Sequence, residues 1–175
     1  MKYAIWAVFL CLGSGLAAET RDVFLEDGAG HRLEVARLEV AEDGGYRVTM
    51  TDTHFTDHFL SMRPFKCLEG ASKTWCHVPY PYEIARDISV DLIDLEYDFM
   101  FVWKKSNEYG INMWNGVYYK LDAAEAGDRL IGTLHEMDMD VLSAPPDAGV
   151  LRPLRASDIH QSDPDSHWLP RLIVE

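Results

Sequence analysis

Leu33-Glu34-Val35-Ala36-Arg37-Leu38-Glu39-Val40-Ala41-Glu42-Asp43-Gly44-Gly45-Tyr46-Arg47-Val48-Thr49-Met50-Thr51 carries the pattern that decides the fold. Tyr46, Val48 and Met50 alternate with Arg47, Thr49 and Thr51. Side chains of a strand point to opposite faces in turn, so this alternation predicts a half-buried strand. Asp43-Gly44-Gly45 just before it is a turn sequence, because glycine readily takes the positive φ that tight hairpins need. Behind the turn stand two apolar triplets, Leu33-Glu34-Val35 and Leu38-Glu39-Val40. Their apolar phase slips by one, which on a strand means a bulge. Further out, Val23-Phe24-Leu25 is followed by the turn-formers Asp27-Gly28-Ala29-Gly30. The first part of the chain therefore reads as an antiparallel β-meander.

The same punctuation continues downstream. Pro64, Pro79 and Pro81 interrupt residues 52–82, and Val78-Pro79-Tyr80-Pro81-Tyr82 must be extended or turn-like, since a residue before proline avoids the α region. Asp87, Asp91, Asp94 and Asp98 recur at helical spacing, as do Ile88, Leu92, Leu95 and Phe99. This predicts a short amphipathic helix near 88–96. Tyr97 to Trp103 reads as a buried strand. Ile111, Met113, Val117, Tyr119 and Leu121 then share one strand face, with Trp114 and Tyr118 on the other. Asn115-Gly116 fits a bulge in one long strand better than a hairpin turn, which would leave only stubs. Arg129 to Val141 reads as a further strand, ended by Ser143-Ala144-Pro145-Pro146. After a polar tail, Ser157 to His167, the apolar piece Trp168 to Val174 is expected to pack back on the body. The fold class is all-β with one or two short helices: an antiparallel meander of about seven or eight strands, as a small barrel or alternatively a β-sandwich. Strands apolar on both faces suit a barrel in which one face fills or lines the lumen and the other meets a neighbouring segment.

Trp114-Asn115-Gly116-Val117-Tyr118, followed by Gly127-Asp128-Arg129-Leu130-Ile131-Gly132-Thr133-Leu134, resembles the closing strands of exported bacterial lipocalin-like (calycin-type) barrels. The resemblance spans about residues 112–135, and the glycine-tryptophan signature of a true lipocalin is missing near residue 19. It implies a barrel architecture and does not imply family membership.

The N-terminus gives an address. Met1-Lys2 is a positive start, Tyr3 to Leu12 is apolar, and Gly13 to Ala18 is small. That order is the pattern of a secretory signal peptide over residues 1–18, with cleavage after Ala17 or Ala18. The apolar stretch falls short of the roughly 20 residues a membrane-spanning helix needs, and no longer one follows. Residues 19–175 are then expected as a single β-rich domain, exported to the periplasm or secreted. Cleavage removes Cys11 and leaves Cys67 and Cys76. In an oxidising compartment this pair predicts a disulfide closing a short hairpin. The eight residues between them do not fit a redox-active Cys-x-x-Cys pair.

A net charge of −13, one unit more negative without Lys2, repels phosphate backbones, and there is no basic stripe. Nucleic acid and anionic membrane surfaces are therefore poor partners. Apolar residues at 47% and aromatics at 11% argue against disorder.

Candidate chemistry is sparse. His135-Glu136-Met137-Asp138-Met139-Asp140 on a strand would put His135, Met137 and Met139 on one face, a donor set that suits Cu(I). The same residues also suit ordinary core packing with the acids solvated. His54 and His58, four apart, would share a helical face and could hold a transition metal. A transition metal is the one cofactor these residues could hold; no dinucleotide or phosphate-loop motif appears. Serines lack a nucleophile-elbow context, and carboxylates are too numerous for sequence to select a catalytic pair. Phe101, Trp103, Trp114 and Tyr118 are candidate ligand-binding aromatics of a barrel lumen. The expected function is a non-catalytic exported β-barrel domain that binds a small apolar ligand or an envelope protein. The alternatives are a periplasmic Cu/Zn binder and, last, a hydrolase whose site assembles only in three dimensions.

Overall fold

The computed structural model describes residues 18–60, 64–124 and 128–175. The expected signal peptide therefore lies outside the described residues, apart from Ala18. Strands β1 (Glu19–Glu26), β2 (Arg32–Val40) and β3 (Tyr46–Met50) form the N-terminal meander. The predicted bulge falls at Val35: Val23 pairs with Ala36 but Phe24 with Glu34, so one residue of β2 is extra. Gly44 turns the β2–β3 hairpin at φ +90°, and a Cβ there would lie 2.5 Å from the Cβ of Ser89. Its bareness serves both the turn and the close approach of a later segment.

β4 (Phe55–Phe59), β5 (Pro64–Glu69), β6 (Lys73–His77) and β7 (Phe101–Lys105) follow. Then come β8 (Gly116–Ala123), β9 (Leu130–Met137), β10 (Ile159–Gln161) and β11 (Arg171–Val174). All pair antiparallel in one strongly curled sheet of order β3-β2-β1-β11-β9-β8-β7-β6-β5-β4, with β10 beside β9. The all-β, barrel-like meander is thus what forms, rather than two stacked sheets. β3 and β4, neighbours in sequence, are the two edges and do not pair. The bare edge of β3 is instead met by residues 86–88: Tyr46 N–H donates to Arg86 O at 3.0 Å and Ile88 N–H to Gly44 O at 2.9 Å. Among the described residues no helix is long and apolar enough to cross a membrane.

The sheet carries a core on each face. Side chains from every strand but β10 converge inside the curl, where Trp75, Phe99, Phe101 and Tyr119 are completely buried. The indole N–H of Trp75 donates to the Tyr119 hydroxyl (3.1 Å), which donates to Leu169 O (2.8 Å), so the polar groups of these two rings are satisfied. On the outer face of β5 to β9, Cys67, Cys76, Val102, Tyr118 and Met137 pack under Tyr80, Ile84, Met139 and Leu142. Strand faces apolar on both sides are thereby explained. Cys67 and Cys76 stand directly opposite on β5 and β6 and are joined as a disulfide.

Four local expectations are corrected. The helix α1 is Ile93–Asp98, later than the predicted 88–96. Asp91 Oδ1 accepts Ile93 N–H at 3.0 Å and sets its start, and residues 86–88 are held against the β2–β3 hairpin instead of joining the helix. The strand expected from Tyr97 begins only at Phe101, because Tyr97 and Asp98 belong to α1. Neither a bulge nor a hairpin forms at Asn115-Gly116. A single 3-10 turn, Met113–Asn115, leads into β8, and Asn112 accepts Trp114 N–H to start it. Finally, β9 ends at Met137, and Met139–Leu142 is another 3-10 turn, begun by the Asp138 side chain. At the start of α1 and of both 3-10 turns a short Asx side chain accepts a backbone N–H, a local partner that competes with continued strand.

Candidate functional site

A cavity of about 480 Å³ opens on the outer side of the sheet, between α1, β8, β9 and residues 154–159. Its apolar wall is Leu92, Ile93, Leu121, Leu154, Ala156 and Ile159, with the rings of Tyr97 and Tyr118. Asp91, Glu96, Lys120, His135 and Arg155 add polar groups to the same lining. An apolar cleft of this size with a few convergent polar groups is the usual form of a small-molecule site.

Glu96 lies at the heart of it. It is only 5% exposed and stands in α1 between the buried Leu95 and Tyr97. Its Oε1 accepts Leu121 N–H at 2.6 Å, and its Oε2 accepts the Tyr118 hydroxyl. Burial pushes its pKa up, and these two donors pull it back only in part. Burial also raises the pKa of Tyr118, as does the adjacent carboxylate.

The segment that roofs the cavity is tied to its floor. Arg152 spans Asp91 (Nη1–Oδ2 2.9 Å) and the fully buried Asp94 (Nε–Oδ1 2.6 Å). Leu154 N–H donates to the Tyr97 hydroxyl at 2.9 Å. Desolvation pushes the Tyr97 pKa up to about 12. Behind them, Arg86 forks onto both oxygens of Asp98, and its own N–H donates to Asp94 Oδ2. Arg86 holds φ +52°, an uncommon value for so bulky a residue, and this network fixes it there. On the β9 side, His135 Nδ1 lies 2.9 Å from Thr133 O, so the proton sits on Nδ1 and Nε2 is the nitrogen left for another partner.

The residues expected from sequence scatter. Of the four candidate aromatics only Tyr118 lines the cavity. Phe101 is fully buried inside the curl, edge-on to Tyr119 at 6.2 Å. Trp103 lies under the Lys73 ammonium (4.2 Å) and edge-on to His167. Trp114 is 70% exposed on its 3-10 turn, not on a face shared with Tyr118. The inside of the curl is filled by side chains, and the cavity is outside it. His135 reaches the cavity, but Met137 and Met139 do not line it; they press against Gly116, where a Cβ would lie 2.5 Å from Met139 Cγ and 2.9 Å from Met137 Cγ. The strand that would have aligned the three residues ends at Met137, two residues short of Met139. His54 and His58 are on no helix. His54 is in an exposed bend, and His58 is in β4, with Nε2 2.8 Å from Glu69 Oε1. Four residues of strand separate them by roughly 13 Å. Among the described residues no three His, Cys, Asp or Glu side chains group as a metal cluster.

Sequence reading passed over Glu96, Lys120 and Arg155. The available signal was that Glu96 falls outside the helical spacing of Asp87, Asp91, Asp94 and Asp98, between the apolar Leu95 and Tyr97. No protein-family model, curated protein or solved structure matches this chain.

Proposed function

We propose that this is a non-catalytic, exported binding protein that holds a small amphipathic molecule in the outer cavity beside α1. The observation that carries the reading is the 480 Å³ cleft itself, where an apolar wall meets the buried Glu96 and the side chains of Lys120, His135 and Arg155. Both oxygens of Glu96 are taken by protein donors, so it braces Tyr118 and β8 and does not offer a free carboxyl for proton transfer. Export is supported by the charged, apolar and small segments of residues 1–18 and by the Cys67–Cys76 bond, which suits an oxidising compartment.

The lining contains no tryptophan, so the readout is amide NMR and not indole emission. Titration of the mature protein with amphipathic small molecules should move the amides of Lys120, Leu121, His135, Leu154 and Ile159 together and saturably. Saturable shifts confined to another part of the sheet, or none with any probe, would refute the cavity as the binding site.

A further inference from the structure

The charges of the cavity divide into those already used and those left over. Its acids are used. Asp91 accepts from Ile93 N–H and from Arg152, and Glu96 accepts from Leu121 N–H and Tyr118. A cationic ligand would find no carboxylate oxygen without a protein donor already on it.

The cations stand the other way. Most described Lys and Arg side chains lie within 4 Å of a carboxylate, as expected in so acidic a chain. Lys73 and Lys104 instead donate to backbone carbonyls. Among the described residues that leaves Arg47, Lys120 and Arg155 with no partner at such a distance, and two of these three line this one cavity, where the Lys120 charge also acts on the Glu96 carboxylate. Lys120 is on β8 and Arg155 on the roofing segment, so the pair flanks the cleft from two elements. His135 has already given its Nδ1 proton to Thr133 O. Leu92, Ile93, Leu154 and Ile159 supply apolar surface in the same lining.

We infer that the ligand is an amphipathic anion, its head held between Lys120 and Arg155 and its apolar chain laid against α1 and Leu154. This rests on the cavity being the binding site. Two donors of this kind form charge-assisted hydrogen bonds, which are the stronger sort. Asp91 and Glu96 in the same lining oppose an anion at short range, but each already carries two protein donors; the rest of the protein's negative charge acts from farther away, where salt screens it beyond about 8–10 Å, so Lys120 and Arg155 favour the anion. A chain of about ten carbons suits a cavity of this class.

Three probes share one such chain and differ in the head: decanoate, 1-decanol and decylamine, each titrated below its aggregation limit and followed at the cavity amides. Decanoate should bind tightest, about tenfold better than decanol. The double variant Lys120→Gln/Arg155→Gln, with its amide spectrum checked for an intact fold, should lower decanoate to the level of decanol and leave decanol unchanged. Equal binding of decanol and decanoate by the native protein, or tightest binding of decylamine, overturns the anion while leaving the cavity in place. Failure of all three to move the cavity amides removes the cavity reading and the inference with it.

Discussion

Glu96 shows how much one residue can hold. A buried carboxylate with two protein donors is satisfied in its hydrogen bonds but costly to keep charged. Glu96→Ala would orphan the Tyr118 hydroxyl and Leu121 N–H and should cost about 2–4 kcal/mol. Glu96→Gln keeps an acceptor for Leu121 and removes the buried charge, so it should stay within about 1 kcal/mol of the native protein at neutral pH. Urea midpoints of the two variants measure the gap; an alanine variant as stable as the glutamine one would mean the two donors find water. A second residue-scale expectation concerns histidine. His77 Nε2 donates to Asp98 O at 2.8 Å, and burial holds its pKa below the usual value. His167 is enclosed by Trp75 and Trp103; burial, then Lys73, lowers its pKa, and Glu136 opposes them. For both, the unfolded chain takes the proton first. Stability is therefore complete above about pH 6.5 and falls as the pH drops towards the lowered folded values, by at most about 1.4 kcal/mol per pH unit for each group. Glu96, with its raised pKa, works in the opposite direction above about pH 4.5. The histidine contribution is isolated by difference: His77→Gln should flatten the loss of melting temperature between pH 7 and 5.5, and an unchanged slope would show that His77 is not held neutral.

At the scale of elements, α1 and the segment over it depend on two arginines. Replacing Arg152 with Met would leave the buried Asp94 charge with only the Arg86 N–H. The expected loss is about 2–4 kcal/mol, with faster hydrogen exchange at Leu154, whose amide bonds Tyr97. If exchange at Leu154 stays slow, the roof is held by its apolar contacts instead. The acids at 87, 91, 94 and 98 have helical spacing, yet only part of that run is helix. Their period reflects in part what they hold: Asp91 and Asp94 take Arg152, Asp98 takes Arg86, and Asp87 accepts Ser89 N–H. An amphipathic pattern cannot distinguish a solvated acidic face from one spent on arginines elsewhere. The meander over β1 to β3 was legible because its evidence is local: alternation and a glycine turn. The ends of β8 and β9 were not, since an Asx side chain stops a strand without breaking the apolar pattern.

For the molecule as a whole, the two-faced sheet was foreshadowed by strands apolar on both sides. The cavity was hidden because its parts meet only through folding. Glu96 reaches Leu121, Tyr97 reaches Leu154, and nothing in any one segment marks the encounter. The disulfide, by contrast, needed only two cysteines and a turn. Double substitution of Cys67 and Cys76 by Ser should lower stability by about 2–3 kcal/mol and keep the fold, because large cores on both faces remain. A chain of residues 19–175, denatured but unreduced, should show no reactive thiol; two per chain would refute the bond.

The place of β11 in the sheet order sets a timetable. Within the sheet, the β1–β3 meander joins the other strands only through β11, by pairs such as Val23 with Val174 and Phe24 with Ile173. Until Arg171–Val174 is made, β1 and β9 each keep an unpaired sheet edge, and the hydrogen bonds of residues 86–88 to the β2–β3 hairpin lie outside the ladder. Contacts between residues so far apart in sequence are slow to form. The hydrogen-bonded sheet is therefore completed only when Arg171–Val174 is available to pair with both β1 and β9.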